Sequence, residues 1–276
     1  MKIYDFDEKF AEYARRWIAL HPGLKPDQVE ESYNEIMRAW LNAPATWLGG
    51  ATPGSYFERY DDPKDLMKLL EEYDKRDMDL PEPLYARIVS LEEACVPRLM
   101  QTVQNRDRSD ALRASALAML RDIGSPTPRE LYVDLIANAR DDDFEIELCE
   151  MALEALKDLY DPTVVDELLA RYDDAISHAQ LVILDLCAKF PRDERVLNLC
   201  LKRLREDPDS REMIAALLGE IGDPSAIGPL REMLESAELS YGAYLEIRNA
   251  IEMLGEDAGP ERDFTGDPDN EALRNS

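Results

Sequence analysis

Along most of this chain, apolar residues recur every three or four positions, the spacing that places them on one face of an α-helix. The clearest example lies between residues 211 and 234, where two apolar stretches flank a short polar break. Each stretch predicts one helix, so the segment predicts a helix pair with a tight turn between its members. The pair is apolar on more than one side and therefore needs stacked neighbours to bury its surface.

The break itself carries residues that end one helix and begin the next. Gly222 can adopt the left-handed conformation of a helix C-cap. Asp223 is a good N-cap, and Pro224 fits the first position of a new helix because no hydrogen bond from its amide is needed there. Helix termination and restart alone explain these three residues.

Similar breaks recur upstream and once downstream of this segment. They begin at Ile123, Leu159, Phe190, Ile221 and Leu254, at intervals of 36, 31, 31 and 33 residues. Two-helix repeat units have lengths of this size. The stretches before the breaks also agree, since LRASALAMLRDIGSP aligns without gaps to SREMIAALLGEIGDP. The sequence therefore predicts a stack of helix pairs.

The segment GEIGDPSAIGPLREML, residues 219–234, resembles the HEAT-like repeat first described in phycobilisome lyases. That repeat has the approximate pattern A-x-x-x-L-G-x-I-G-D-P-x-A-x-x-x-L. The resemblance extends to residues 111–136 and 147–169, whereas residues 177–204 depart from it because Lys189-Phe190-Pro191 replaces the Gly-Asp-Pro turn. It implies an α-solenoid and, through the family association, a bilin lyase or other tetrapyrrole-handling protein. Such an enzyme would need a deep apolar groove with a basic group for the propionates.

The predicted fold is all-α: a right-handed α-solenoid of stacked two-helix HEAT-like repeats with an N-terminal helical extension. We assign residues 1–79 to the extension and residues 80–260 to a solenoid of about five to six helix pairs. Residues 261–276 form an acidic, loosely ordered tail, because they are poor in large apolar side chains. Part of this tail could cap the last helix, since a terminal repeat needs a polar outer face.

The extension opens with an aromatic and aliphatic stripe at helical spacing. Its members are Phe6, Phe10, Tyr13, Trp17 and Leu20. Such a stripe is typical of a helix that faces the core. The alternative interpretation is a docking face for another helix.

Residues 42–62, NAPATWLGGATPGSYFERYDD, interrupt the helical periodicity with aromatic residues and glycines. Long irregular stretches in compact proteins are often functional or held down by their own side chains. Part of this loop resembles the W-L-x-x-P-x-x-x-L-G-G-x-T-P signature in the toxin-binding domain of certain antitoxins. The match is carried by Ala39, Trp40, Leu41, Leu48, Gly49, Gly50, Thr52 and Pro53. It implies a regulatory partner-binding role for residues 40–53; the alternative is a structural corner between two helices.

The 276 residues include 59 acidic and 32 basic ones, which gives a net charge of −27. Nucleic-acid binding depends on Lys and Arg neutralising phosphates, so this charge disfavours nucleic acid as a partner. The same sign disfavours anionic membrane surfaces, and no stretch approaches the roughly 18 apolar residues of a membrane span. Two interpretations stay open: a solvated acidic exterior that keeps the protein soluble, or a surface for a basic protein partner.

The sequence offers few residues for metal or covalent chemistry. The four cysteines lie in apolar helical patterns without C-x-x-C spacing, so we expect buried free thiols. They are Cys95, Cys149, Cys187 and Cys200. With two histidines and no H-E-x-x-H, P-loop, dinucleotide or G-x-S-x-G motif, we expect neither a cofactor nor a metal. The acidic run at residues 141–147 lacks the offsets of a calcium loop and instead fits helix capping at Asp142 or Asp143.

Repetition without a catalytic constellation favours a non-catalytic protein–protein interaction scaffold over an enzyme. In such a scaffold the second helices of successive units line a concave face and present polar side chains to a protein partner. We expect partner contacts on these helices and in the aromatic loop, at Trp47, Tyr56, Arg171, Arg203 and Arg231. The opening MKIYDFDEKF has no apolar run typical of a signal peptide, so we expect a cytoplasmic protein.

Overall fold

A computed structural model describes residues 2–190, 193–236 and 239–264. These residues form α-helices joined by turns and short 3-10 segments, and no strand occurs among them. In chain order the helices are α1 (Phe6–Leu20), α2 (Pro26–Glu31), α3 (Tyr33–Asn42), α4 (Pro63–Asp74), α5 (Glu82–Ser90), α6 (Val96–Gln104), α7 (Asp110–Ile123), α8 (Arg129–Ala137), α9 (Asp143–Leu159), α10 (Val164–Leu169), α11 (Ser177–Ala188), α12 (Glu194–Glu206), α13 (Arg211–Ile221), α14 (Ile227–Leu234) and α15 (Tyr241–Met253). The predicted all-α fold is confirmed.

From α5 onward the helices form consecutive pairs. The pairs are α5/α6, α7/α8, α9/α10, α11/α12 and α13/α14, and α15 follows them. The second helix of a pair packs on the first helix of the next, as α6 does on α7 and α12 on α13. First helices also pack on first helices, most extensively α13 on α15. This packing of neighbouring helices is that of a helical-repeat solenoid, as the sequence predicts.

The chain divides into two compact units, residues 1–131 and 132–276. This division differs from the boundary that the sequence led us to expect between residues 79 and 80. Helix α4 packs against α5, α6 and α7, and the 3-10 segment Tyr56–Arg59 packs against α5. Direct packing therefore joins the residues before position 80 to the first helix pairs, and their assignment to a separate region stays a prediction.

The breaks between helices depend on left-handed backbone conformations. Three glycines have φ of +67°, +70° and +89°, at Gly124, Gly222 and Gly255. Tyr160 ends α9 in the same region with a φ of +48°. By contrast, the C-cap of α11, Lys189, is right-handed, which agrees with the departure from the repeat pattern there. Pro191 and Arg192 of this break lie outside the described residues.

An aromatic cluster holds the N-terminal helices of unit 1–131 together. Phe6 lies edge-on to Trp40 at a ring-centroid distance of 6.0 Å and stacks on Phe57 at 5.4 Å. The first half of the predicted N-terminal stripe is therefore core. Its last member, Leu20, is 78% exposed, which corrects the expectation that the whole stripe faces inward.

The last helix is covered by the chain that follows it. Residues 256–264 lie against α15, where Nη1 of Arg248 donates to the carbonyl of Gly259 at 2.9 Å. The amide of Arg262 donates to the Tyr244 hydroxyl at 2.7 Å, and the Phe264 ring lies 4.7 Å from that of Tyr244. The first four residues of the predicted loose tail are thus attached to α15, and residues 265–276 lie outside the described residues.

In the described parts of the chain, we find no helix that is both long and apolar enough to cross a membrane.

Candidate partner-binding surface

In unit 132–276 the second helices α10, α12 and α14 expose polar side chains. Helix α12 is the longest of them. Asp193 caps its start by accepting a hydrogen bond from the Arg195 amide at 2.8 Å, a partner that the helix itself cannot supply. Its apolar face is buried, while Glu194 and Asn198 on the other face are exposed. Helix α12 therefore offers a stable polar surface.

A cavity of about 460 Å³ lies between α12 and the turn that precedes α14. Its lining residues are Glu194, Leu197, Asn198, Leu201, Asp223 and Ser225. We call this cavity the α12 groove. Oδ1 of Asp223 accepts hydrogen bonds from the amide and the hydroxyl of Ser225 at 2.9 and 2.8 Å, so the turn at the groove has a fixed shape. Leucine side chains beside carboxylates suit a side chain with an aliphatic stem and a cationic end.

Arginines of the second helices and their turns pair with carboxylates of neighbouring repeats. Nη2 of Arg195 lies 2.6 Å from Oδ1 of Asp166, which connects α12 to α10. Arg171 pairs with Asp134 at 2.6 Å, and Arg231 pairs with Glu256 at 2.6 Å. Each pair spans 25 to 37 residues of sequence, close to one repeat length. Basic residues on this side therefore connect one repeat to the next.

Lysines form ion pairs that connect the first helices of neighbouring repeats. Nζ of Lys157 lies 2.8 Å from Asp185, and Nζ of Lys189 lies 2.5 Å from Glu220. Burial alone would lower the pKa of Lys157, but its hydrogen bonds to Asp185 and Glu154 outweigh burial and raise that pKa. The lysine therefore stays charged, and the α9–α11 contact keeps its ion pair.

Arg203 is a buried residue at the centre of a partly buried polar network. The residue is 8% exposed. Its guanidinium donates to the Ser177 hydroxyl at 2.5 Å, to Oε1 of Gln180 at 2.7 Å and to Oδ2 of Asp207 at 2.9 Å. Partial burial would raise the pKa of Asp207, yet the Ser210 hydroxyl and Arg203 outweigh burial and lower it. The planar guanidinium thus fixes α11 to the end of α12.

A smaller cavity of about 160 Å³ lies beside Arg203. Lys202 and Arg203 line it together with Asp173, Glu206 and Asp207. Sites for drug-sized ligands occupy roughly 300–1,000 Å³, and these carboxylates would repel propionates. This cavity is therefore too small and too acidic for a tetrapyrrole, and the bilin lyase hypothesis stays a prediction.

The irregular loop of unit 1–131 is fixed by its own side chains and glycines. Trp47 packs against Tyr4 and Phe6 at ring-centroid distances of 5.2 and 5.4 Å. Burial raises the pKa of Tyr56 to about 12, so its hydroxyl stays protonated. The amide of Gly54 donates to the Leu41 carbonyl at 2.9 Å, and a side chain at Gly54 would lie 3.0 Å from that oxygen. These contacts support the structural-corner interpretation of residues 40–53.

In the structure, the five residues that we expected to contact a partner differ in exposure. Tyr56 and Arg203 are buried, so their side chains serve internal contacts rather than a partner, which corrects that expectation for them. Arg171 and Arg231 are exposed but form the ion pairs described above, and Trp47 is half-buried. A partner role for these three stays a prediction.

The α12 groove and the ion pairs between repeats escaped sequence reasoning. Opposite charges that lie about one repeat length apart in the sequence could have been used to predict the ion pairs. The groove gives no such signal, because the helix α12 and the turn at Asp223 meet only in the folded stack.

Two chemical expectations can be compared directly with the structure. The four cysteines are buried free thiols, as predicted. Burial raises the pKa values of Cys149, Cys187 and Cys200 to about 12, which keeps these thiols protonated and unreactive. Asp142 caps α9 by accepting from the Phe144 and Glu145 amides at 3.2 and 3.3 Å, so the capping role of the acidic run is confirmed.

A family model of the PBS lyase HEAT-like repeat matches residues 210–236. No curated protein matches the chain. The matched segment contains α13, the Gly222 turn and α14, which are the elements that carry the resemblance in the sequence. The chain therefore contains a HEAT-like repeat within an all-helical repeat fold.

Proposed function

We propose that this chain is a non-catalytic protein–protein interaction scaffold. The α12 groove carries the proposal, because it lies on a second helix and adjoins the turn of the matched repeat. Second helices of stacked repeats commonly form extended binding surfaces. In this proposal a partner places a side chain on the half-buried Leu201, beside the exposed Glu194 and Asn198.

The partner in this proposal is a basic protein. The net charge of −27 attracts basic surfaces and repels acidic ones such as nucleic acid and anionic membranes. Locally, the exposed carboxylate of Glu194 lies at the α12 groove, whereas the buried Asp223 side chain holds the turn. A lysine or arginine of the partner can lay its aliphatic stem on the half-buried Leu201 and its charge against Glu194.

A cytoplasmic location belongs to the same proposal. Its support is the buried, reduced state of all four cysteines, which suits a compartment that keeps thiols reduced.

Affinity capture with matched variants tests the scaffold proposal. The full-length chain is immobilised, and proteins retained from native extract are identified and then purified for measurement of the dissociation constant. The variant Glu194→Lys/Asn198→Lys reverses charge at the α12 groove. We expect it to weaken binding about tenfold or more, because like charges then face each other across the interface.

The control makes the same chemical change on a first helix. Glu252 and Asn249 are exposed on α15, so Glu252→Lys/Asn249→Lys alters the net charge equally. We expect this control to bind as the unaltered chain does. Equal loss in both variants, or no loss in either, would contradict a binding surface on α12.

A further inference from the structure

The end of α1 and the loop after it differ in charge from the rest of the chain. Residues 13–26, YARRWIALHPGLKP, contain Arg15, Arg16 and Lys25 and no acidic residue. The whole chain, by contrast, has almost two acidic residues for each basic one. We call residues 13–26 the basic tip.

The basic tip also exposes large apolar side chains. Leu20 is 78% exposed and Ile18 is 40% exposed. The Trp17 ring stacks on that of His21 with centroids 4.0 Å apart, and Nδ1 of His21 lies 2.8 Å from the Trp17 carbonyl. The turn therefore has a defined shape, and Leu20 is an exposed apolar side chain at its edge that a partner could cover.

The cations of the basic tip indicate the charge that a binding partner would carry at this site. Arg16 has an 80% exposed side chain and approaches Glu12 only at 4.0 Å. The side chain of Arg15 donates to the backbone carbonyl of Ala11 at 3.2 Å. Charges separated by more than about 8 Å are largely screened at physiological ionic strength, so these local cations decide which surface can approach.

We propose that the basic tip docks onto an acidic, amphipathic surface of a partner protein. The partner supplies carboxylates opposite Arg15 and Arg16 and apolar side chains against Leu20. The site is separate from the α12 groove and selects the opposite charge. The proposal of this second site can therefore be right or wrong independently of the scaffold proposal.

An anionic membrane fits this pattern less well than a protein does. Near a bilayer each Lys or Arg adds only a modest attraction to anionic lipid, and the basic tip has three of them. Helix α2 follows immediately with Asp27, Glu30 and Glu31, which anionic lipid would repel. A protein surface can match both signs of charge at short range, whereas a lipid surface presents one sign throughout.

Site-specific photo-crosslinking in the full-length chain tests this proposal. A photoreactive amino acid replaces Leu20, whose exposure makes the substitution harmless to folding. We expect a crosslink to a protein in native extract, through a peptide of net negative charge. In the background Arg15→Glu/Arg16→Glu the yield should fall about tenfold, because carboxylates would then oppose carboxylates.

The controls separate local charge from net charge and from chance contact. Lys64→Glu/Lys68→Glu makes the same charge change at exposed positions of α4 and should leave the yield unchanged. The photoreactive group placed at Tyr160, which is 64% exposed, should not give the same product. A neutral or basic crosslinked peptide, a lipid product, a second copy of this chain, no product, or a yield insensitive to Arg15→Glu/Arg16→Glu would each overturn the proposal.

Discussion

At the scale of the residue, the feature that recurs in this protein is one residue with a left-handed backbone conformation at the end of a first helix. Gly222 ends α13 with a φ of +70°, and a Cβ atom there would meet only the Glu220 carbonyl oxygen at an ordinary 3.8 Å. Steric crowding therefore does not require glycine at this position. The backbone conformation does, because it is unfavourable for residues with a Cβ atom.

A matched pair of alanine substitutions tests this requirement. Gly222→Ala should reduce the free energy of unfolding by about 1 kcal/mol, through backbone strain alone. Gly228 lies within α14 with open space around it, so Gly228→Ala should raise the free energy of unfolding by roughly 0.5–1 kcal/mol. Urea unfolding followed by circular dichroism measures both. Shifts in the same direction would show that φ at Gly222 does not control stability.

Arginines of this chain differ sharply in how deeply they are buried. Arg203 is itself buried and has several partly buried partners, whereas Arg171 pairs with one carboxylate at the surface. Removing one member of a buried pair leaves the others without compensation, while an exposed ion pair contributes little.

Arg203→Ala should therefore lower the free energy of unfolding by about 2 kcal/mol, because the partly buried Asp207 and Gln180 lose their donor and the packing of the buried side chain is lost. Arg171→Ala should change it by less than about 1 kcal/mol. Arg203→Lys should restore only part of the loss, since an ammonium cannot match the planar set of donors. Thermal or urea unfolding of the three variants measures these free energies. Equal losses for Arg203→Ala and Arg171→Ala would contradict a larger structural role for Arg203.

On the scale of whole elements, α15 packs on α13 and α14 and also on an irregular segment that follows it. The segment 256–264 covers α15 through Arg248, Tyr244 and Phe264. It therefore takes the place that a second helix would occupy in a complete pair.

Truncation tests whether this segment protects α15. A chain ending at Gly255 should show faster amide exchange across α15, because the aromatic and arginine contacts are gone. A chain ending at Phe264 retains those contacts and should exchange at the original rate. Hydrogen exchange measured by mass spectrometry reports both truncations, and unchanged α15 protection in the shorter chain would show that the segment is not a cap.

Sequence reasoning succeeded where local chemistry sets the structure. Helix periodicity, the Gly222 turn and the Asp142 cap each depend on a few adjacent residues, so they could be predicted. The exposure of Leu20 and the burial of Arg203 depend on which helix packs where, information that no local pattern contains. For the same reason periodicity placed Leu20 in the core, although the side chain is exposed at the end of α1.

At the scale of the whole molecule, the repeats use basic residues mainly to join neighbours. Arg195, Lys157 and Lys189 each bridge two repeats. The basic tip lies before the repeats, and its cations accompany exposed apolar side chains. The α12 groove and the basic tip would give one scaffold two binding surfaces of opposite charge preference.

Hydrogen exchange of the complex with the captured basic partner tests the scaffold account most directly. We predict that protection on binding concentrates on α12 and on the turn at Asp223, where the groove lies. Protection confined to the first helices α11, α13 and α15, with α12 and this turn unchanged, would contradict the account.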